Sequence, residues 1–205
     1  MKTIKILGGG ISGLTAAITL KKAGFNVEVH EIKKYCGKHT NDFQFLENWT
    51  SDEDTLEYLK RIGIAIDFYN KPLYSQEIVS PSLKSYTGTS KTILMYLIKR
   101  GKSKDSIDSS LCKQSLNLGV KIIYNSKLKK EEADIIAKGP IKPNAMASGI
   151  NFKTNLPDKI LVLLDNDLSY CAYTYLVIND RVGEITTCAL FNENNDPIDM
   201  KKSLV

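Results

Sequence analysis

The feature that most restricts this chain is a glycine-rich turn, Gly8-Gly9-Gly10-Ile11-Ser12-Gly13, set between an apolar run and a helical pattern. Ile4 to Leu7 reads as a short buried parallel strand ending at the glycines. Ile11, Leu14, Ala17 and Ile18 then recur at helical spacing, Lys21 and Lys22 fall near the polar end, and Gly24 supplies a stop. Val27-Glu28-Val29 reads as the next strand. The segment is therefore a β-α-β unit with its glycines in the connecting turn.

The turn matches G-x-G-x-x-G in the setting that gives the pattern meaning. Gly8 permits the tight turn, Gly10 lets a pyrophosphate approach the backbone without a Cβ in the way, and Gly13 lets the helix pack closely on the strand. A pyrophosphate would then meet free N–H groups at the positive end of the helix, beside Ile11 and Ser12. Glu31 follows the second strand, with seventeen residues between it and Gly13. A carboxylate there can accept hydrogen bonds from both ribose hydroxyls and repels a 2′-phosphate. Strand, turn, helix, strand and acid in register point to an adenine dinucleotide, without choosing between NAD and FAD.

Bulk properties exclude several other classes. With 42% hydrophobic and 25% charged residues, the 205-residue chain suits one core, or one core with a small satellite. The net charge of +5 is spread over isolated lysine pairs, with no basic stripe interleaved with aromatics, so nucleic acid is not expected as a partner. Cys36, Cys112, Cys171 and Cys188 form no C-x-x-C pair, and only His30 and His39 accompany them, which leaves little material for a zinc site. Free thiols, the absence of a secretory apolar region at the start and the absence of an apolar run near twenty residues set the expectation of a cytoplasmic chain without a membrane span.

Beyond Glu31 the pattern departs from an NAD-binding Rossmann domain, in which a third parallel strand follows within one helix. Asp54 to Ile62 reads as a short helix, followed by strand-like stretches at Tyr74 to Val79, Leu83 to Tyr86 and Lys91 to Ile98. Only then does an α/β pattern resume. Ile107, Leu111, Ser115 and Leu118 mark a helix ended by Gly119, and Val120 to Tyr124 and Ala133 to Ala137 read as strands. From Gly149 onward strands recur at Ile150 to Thr154, Lys159 to Leu164, Ala172 to Asn179 and Val182 to Leu190, with Asn179-Asp180-Arg181 as a hairpin turn. The expected organisation is α/β. A discontinuous Rossmann-like domain (1–50 and 91–148) is interrupted by a mostly antiparallel β-rich substrate domain (51–90 and 149–205).

Lys5 to Glu31 resembles the two-dinucleotide-binding-domain flavoproteins. Phe43-Gln44-Phe45-Leu46-Glu47-Asn48-Trp49-Thr50, Tyr96-Leu97-Ile98-Lys99-Arg100-Gly101 and Ala133-Asp134-Ile135-Ile136-Ala137 are similar to the geranylgeranyl reductase-like branch, which shares its fold with aromatic-ring hydroxylases. The resemblance implies an FAD-dependent oxidoreductase that passes electrons through the flavin to an alkene or to oxygen, with NAD(P)H as a possible donor and a small hydrophobic or isoprenoid substrate. The cofactor-contact residues expected are Gly8, Gly10, Ile11, Ser12, Gly13, Glu31 and Ile32, followed by Lys38, Arg100, Leu128, Ala137 and Gly139. Lys38 stands where the resemblance implies an arginine, Arg100 would face the cofactor from the crossover, and Leu128 would meet adenine through its backbone. The third motif ends Ala137-Lys138-Gly139 where the family has Ala-Thr-Gly.

The family also carries a later glycine-acid pair opening a helix. Here no Gly-Asp occurs, and the only Gly-Glu, Gly183-Glu184, sits in a strand pattern. The chain is therefore expected to be truncated as a flavoenzyme. An NAD-binding dehydrogenase and a non-catalytic dinucleotide-binding remnant stay open as alternatives. Tyr170, Tyr173 and Tyr175, with Phe43 and Trp49, are either core aromatics or a substrate-facing wall, and His39 reads as a surface residue. No catalytic side chain is assigned.

Overall fold

Ile4 and Ile6 alternate with Thr3 and Lys5, a period of two that suits a strand. In the computed structural model, which describes residues 2–37, 40–139 and 144–190, Thr3–Leu7 forms β1. Helix α1 follows at Ile11–Lys22 and buries Gly13, Leu14, Ala17 and Ile18 along one face. Gly24 closes it in the left-handed region (φ +89°), a conformation that disfavours any residue with a Cβ. The chain continues as β2 (Asn26–His30), β3 (Asp42–Glu47), α2 (Thr55–Arg61), β4 (Asn70–Leu73), β5 (Ser75–Val79), β6 (Ser85–Thr89) and β7 (Met95–Arg100). It then forms α3 (Ile107–Asn117), β8 (Lys121–Ile123), β9 (Ile135–Ile136), β10 (Ala145–Lys153), β11 (Lys159–Leu163), β12 (Thr174–Asn179) and β13 (Val182–Leu190).

These elements divide into two units, the first comprising Met1–Pro72 and Met95–Gly139 and the second Leu73–Leu94 and Pro140–Val205. The first holds a parallel sheet of order β8-β2-β1-β9, with β1 and β2 in register at Ile4↔Val27 and Ile6↔Val29. Ile6, Ala17, Val27, Val29 and Val120 form its core, which Leu20, Ile122 and Ile135 flank. The order is that of a Rossmann half in which everything from β3 to α3 is inserted between the second and third parallel strands. A small sheet of order β3-β7-β4 lies within the insertion.

The sequence pattern set the first boundary at residue 50, whereas residues 51–72 belong to the first unit. The reason is visible in the turn after α2, which docks on both long helices. Thr19 Oγ1 donates to the Ile62 carbonyl and Lys22 Nζ to that of Gly63, while the Gln114 amide exchanges hydrogen bonds with the backbone of Ala65. Asp54 caps α2, accepting from the backbone N–H groups of Leu56 and Glu57. Two strands lie outside the stretches expected from the sequence. β4 contains Pro72, which reads as punctuation but is tolerated because β4 is an edge strand. β3 falls on the Phe43–Glu47 part of the family-like motif, where the sequence pattern sets no strand. Leu83, expected in a strand, instead takes φ +60° in the turn between β5 and β6.

The second unit is one sheet of order β10-β13-β12-β11-β5-β6. All its pairs are antiparallel except β11 with β5, where Val162 faces Ile78. Asp180 and Arg181 both have positive φ in the two-residue connection of β12 to β13, as a type I′ hairpin requires. Gly183 and Glu184 lie inside β13, and Glu184 is a buried carboxylate that accepts from Tyr175 Oη at 3.0 Å. Burial and that carboxylate push the Tyr175 phenol well above its ordinary range. Tyr173, its neighbour at 6.4 Å between ring centres, is exposed. Among the described residues, no helix is long and apolar enough to cross a membrane, and no cluster of histidine, cysteine and carboxylate side chains is placed to hold a metal ion.

A buried ion pair fastens the end of β7 to α3. Asp108, whose side chain is 1% exposed, accepts from Arg100 Nε (2.8 Å), Arg100 Nη2 (3.1 Å) and the Gly101 backbone (2.9 Å). Arg100 Nη1 also donates to Gln44 on β3. Removing one member of such a pair strands the other without a counter-charge. Asp108→Ala should therefore cost about 3–5 kcal/mol of unfolding free energy, read from urea denaturation against the unmodified chain.

Candidate dinucleotide site

The site is built where β1 ends. Gly8 takes φ +113°, and a Cβ placed on it would come within 2.6 Å of the Ala137 carbonyl oxygen, so only glycine allows β1 and the end of β9 to lie this close. Backbone bonds hold the contact, Gly8 N–H donating to the His30 carbonyl and Ala137 N–H to that of Leu7. A Cβ on Gly13 would collide with the Gly8 carbonyl, so the first turn of α1 rests directly on the strand end. Gly10 differs from both. It is the N-cap residue, extended at φ −84° and ψ −175°, and a Cβ there would meet no atom within 4 Å.

Open space in front of Gly10 is what a pyrophosphate requires. The helix end behind it suits an anion, because no side chain caps it and its first turn carries no acid. The first N–H groups of any helix lack intrahelical partners and sit at the positive end of its dipole. Ile11, Ser12 and Gly13 supply them here.

Glu31 is one residue past β2, 8% exposed, and held on both sides. Its Oε2 accepts from Gly9 N–H at 2.7 Å and its Oε1 from Lys33 N–H at 2.9 Å. Its own backbone is fixed as well, donating to the Ile123 carbonyl and accepting from Ser126 N–H. A carboxylate has about four acceptor positions, so each oxygen keeps room for a hydroxyl donor. The acid thus shapes the glycine turn and stays able to bind a diol.

A cavity of about 490 Å³ opens at the carboxyl ends of these strands, the location expected for a ligand on an open parallel sheet. Gly8, Gly10, Glu31 and Ile32 line it, together with Leu128, Ala137 and Gly139. Ile11, Ser12 and Gly13 form the helix turn next to Gly10. Arg100 is not among the lining residues, because its guanidinium is engaged by Asp108 and Gln44. Lys38 lies outside the described residues, as does His39. Phe43 is buried, whereas Trp49 is exposed.

Sequence reasoning missed the basic lining of Lys33, Lys127, Lys130 and Lys138, which gives the cavity a positive balance against Glu31. It also missed His30, whose Nδ1 shares a 2.8 Å hydrogen bond with Ser126 Oγ and whose Nε2 lies 3.7 Å from Glu28 Oε2. The usable signal was topological. These residues stand at or just after the ends of β2, β8 and β9, which the strand order gathers at one edge.

Residues 6–64 match the family model of an NAD(P)-binding Rossmann-like domain. No curated protein matches the sequence. Among solved structures, the chain is similar to a geranylgeranyl bacteriochlorophyll reductase-like protein from Thermoplasma acidophilum, with a TM-score of 0.73 and 17% identity over 100% of this chain and 61% of that one. It is similar to FqzB (0.71, 13% identity, 95% and 54% covered) and to 2-methyl-3-hydroxypyridine-5-carboxylic acid oxygenase (0.61, 18% identity, 98% and 63% covered). At these identities the likeness is one of fold, an α/β Rossmann-like domain joined to a mostly antiparallel sheet. The chain spans between about half and two thirds of the length of these structures.

The two glycines make opposite demands that a stability measurement separates. Gly13→Ala drives a Cβ into the Gly8 carbonyl and should cost about 1–3 kcal/mol, the usual penalty for overpacking. Gly10→Ala enters open space and should cost less than about 1 kcal/mol, the range of a cap substitution. Equal losses in chemical denaturation would contradict this division between packing and ligand space.

Proposed function

We propose that this chain binds FAD and belongs to an FAD-dependent oxidoreductase. The observation that carries the reading is the open space at Gly10, in front of an uncapped helix end and level with the buried, doubly held Glu31. The pyrophosphate would sit at Gly10 and the first turn of α1, with the surrounding lysines offsetting its charge, and the ribose hydroxyls would donate to Glu31. FAD is favoured over NAD because the segment from β3 to α3 interrupts the parallel sheet, the plan implied by the flavoprotein resemblance. When bound, FAD supplies the electron-transfer chemistry. The likeness to a reductase-like protein supports reduction of an isoprenoid or similar apolar double bond with NAD(P)H as donor, and the likeness to an oxygenase supports oxygen activation.

A second reading, an NAD-binding dehydrogenase, is favoured by the family model over residues 6–64. The two separate on one measurement. Protein incubated with FAD and desalted should retain the visible flavin spectrum, and NADH should not displace it at comparable concentration. Colourless protein that binds NADH tightly would favour the dehydrogenase.

Within the FAD reading, Gly10→Val should abolish binding, because a branched side chain fills the pyrophosphate's place. Unchanged FAD affinity in that variant overturns the assignment. Glu31→Ala should weaken binding by about 1–3 kcal/mol, the range for loss of charge-assisted hydrogen bonds. In competition, ADP should displace FAD, whereas nucleotides with a 2′-phosphate should do so poorly because Glu31 faces that position. Equilibrium titration of flavin fluorescence reads all three.

A further inference from the structure

A second cavity, about 510 Å³ in volume, opens in the first unit, lined by neither Gly8 nor Gly10. Two thiols and a phenol meet in its wall. Cys36 Sγ lies 3.7 Å from Tyr124 Oη, and Cys112 Sγ lies 3.8 Å from the same oxygen. The two cysteines are far apart in sequence, Cys36 in the loop after β2 and Cys112 in the middle of α3. Both are free and partly accessible. The nucleotide site described above uses neither.

The surroundings make the two sulfurs unequal. The neighbouring Cys36 thiol and the Tyr124 hydroxyl hold the Cys112 thiol well below the ordinary thiol range, against the opposing effect of burial. Cys36, whose thiol donates to Tyr124 Oη, is pushed up by the neighbouring Cys112, by partial burial and by the charge of Glu31. Tyr124 is pushed up by burial and by the two sulfurs. Lys34, Lys102 and Lys113 also line the cavity, as does Asp108, which is bound to Arg100. One sulfur is thus set up as nucleophile and the other as a protonated partner beside it.

We propose that Cys36 and Cys112 form a reversible dithiol–disulfide site that is oxidised by hydroperoxides. The Cys112 thiolate attacks one peroxide oxygen; an S–O bond forms, the O–O bond breaks, and the departing hydroxide takes a proton to leave as water. Cys112 is then a sulfenic acid, oxidised by two electrons. Cys36 loses its proton and attacks the Cys112 sulfur; the S–S bond forms, the S–O bond breaks, and the second oxygen leaves as water. In sum, two thiols lose two hydrogens and one hydrogen peroxide becomes two waters. The bond ties the loop that carries Glu31 to α3, and a low-molecular-weight thiol reverses it by exchange.

The test treats the folded chain with hydrogen peroxide, blocks remaining thiols, digests with trypsin and maps the products by mass. The expected product joins peptide 35–38 to peptide 105–113 at a mass two hydrogens below their sum, and dithiothreitol abolishes it. In Cys36→Ala, dimedone should trap a sulfenic acid on Cys112; in Cys112→Ala, Cys36 should stay unlabelled. At pH 7 iodoacetamide should alkylate Cys112 about tenfold faster than the exposed Cys171, and Tyr124→Phe should reduce that advantage. A peroxide-treated chain with no 35–38 to 105–113 link, or with links to Cys171 or Cys188 in equal yield, overturns the proposal. So does alkylation of Cys112 no faster than Cys171.

Discussion

The first unit depends on one steric contact, the seating of Gly13 on the carbonyl of Gly8. Any side chain at position 13 would push α1 off the end of β1. With hydrogen there instead, the helix drops until Ala17, with Leu20 beside it, closes over Ile6, Val27 and Val29. The same contact aims the first turn of the helix at the carboxyl edge of the sheet. Core packing and anion geometry are thus two results of one missing methyl group. Gly8 extends the effect sideways by letting Ala137 come close, which brings β9 into the sheet.

The acid side of the site is braced from farther away. Glu31 reaches back to Gly9, and Gly37, at the other end of the same loop, donates to the Gly9 carbonyl. Gly37 has φ +71° and lies so close to Asp108 that a Cβ would come within 2.5 Å of its carboxylate. Asp108 in turn holds Arg100 and the Gly101 turn. A line of support therefore runs from the buried ion pair at β7 and α3 through the loop to the glycine turn. Arg100 acts in this framework as a brace, whatever its counterpart does in the resembling family.

The β-α-β unit was legible because each residue type there answers to a local constraint. Gly8 and Gly13 stand where a Cβ cannot fit, Gly10 where a ligand needs the space, apolar residues recur at period 3.6, and an acid follows the second strand. The strands of the second unit were legible for a similar reason, since Lys159–Leu163 and Val182–Leu190 are long β-branched or apolar runs flanked by turn residues. What escaped is what only three dimensions create. Lys127, Lys130 and Lys138 look like scattered surface charge until β8 and β9 flank the β1–β2 pair. Cys36 and Cys112 read as unrelated thiols until α3 packs against the loop. Likewise, residues 51–72 look like part of the β-rich unit until Gln114 and Lys22 claim the backbone after α2.

The parallel sheet also sets a schedule. Its two central strands are made first, but β2 waits for Lys121–Ile123 and β1 for Ile135–Ile136 before their outer edges are paired. Ninety residues lie between β2 and its outer partner. At ribosomal speeds that interval is roughly 5–20 s, far longer than hydrophobic collapse. A nascent chain therefore carries two unpaired parallel edges and a half-covered valine-isoleucine face for seconds. Its exposure to misassembly is governed by the pace of translation and by whatever shields the emerging chain, ahead of any property of the finished fold.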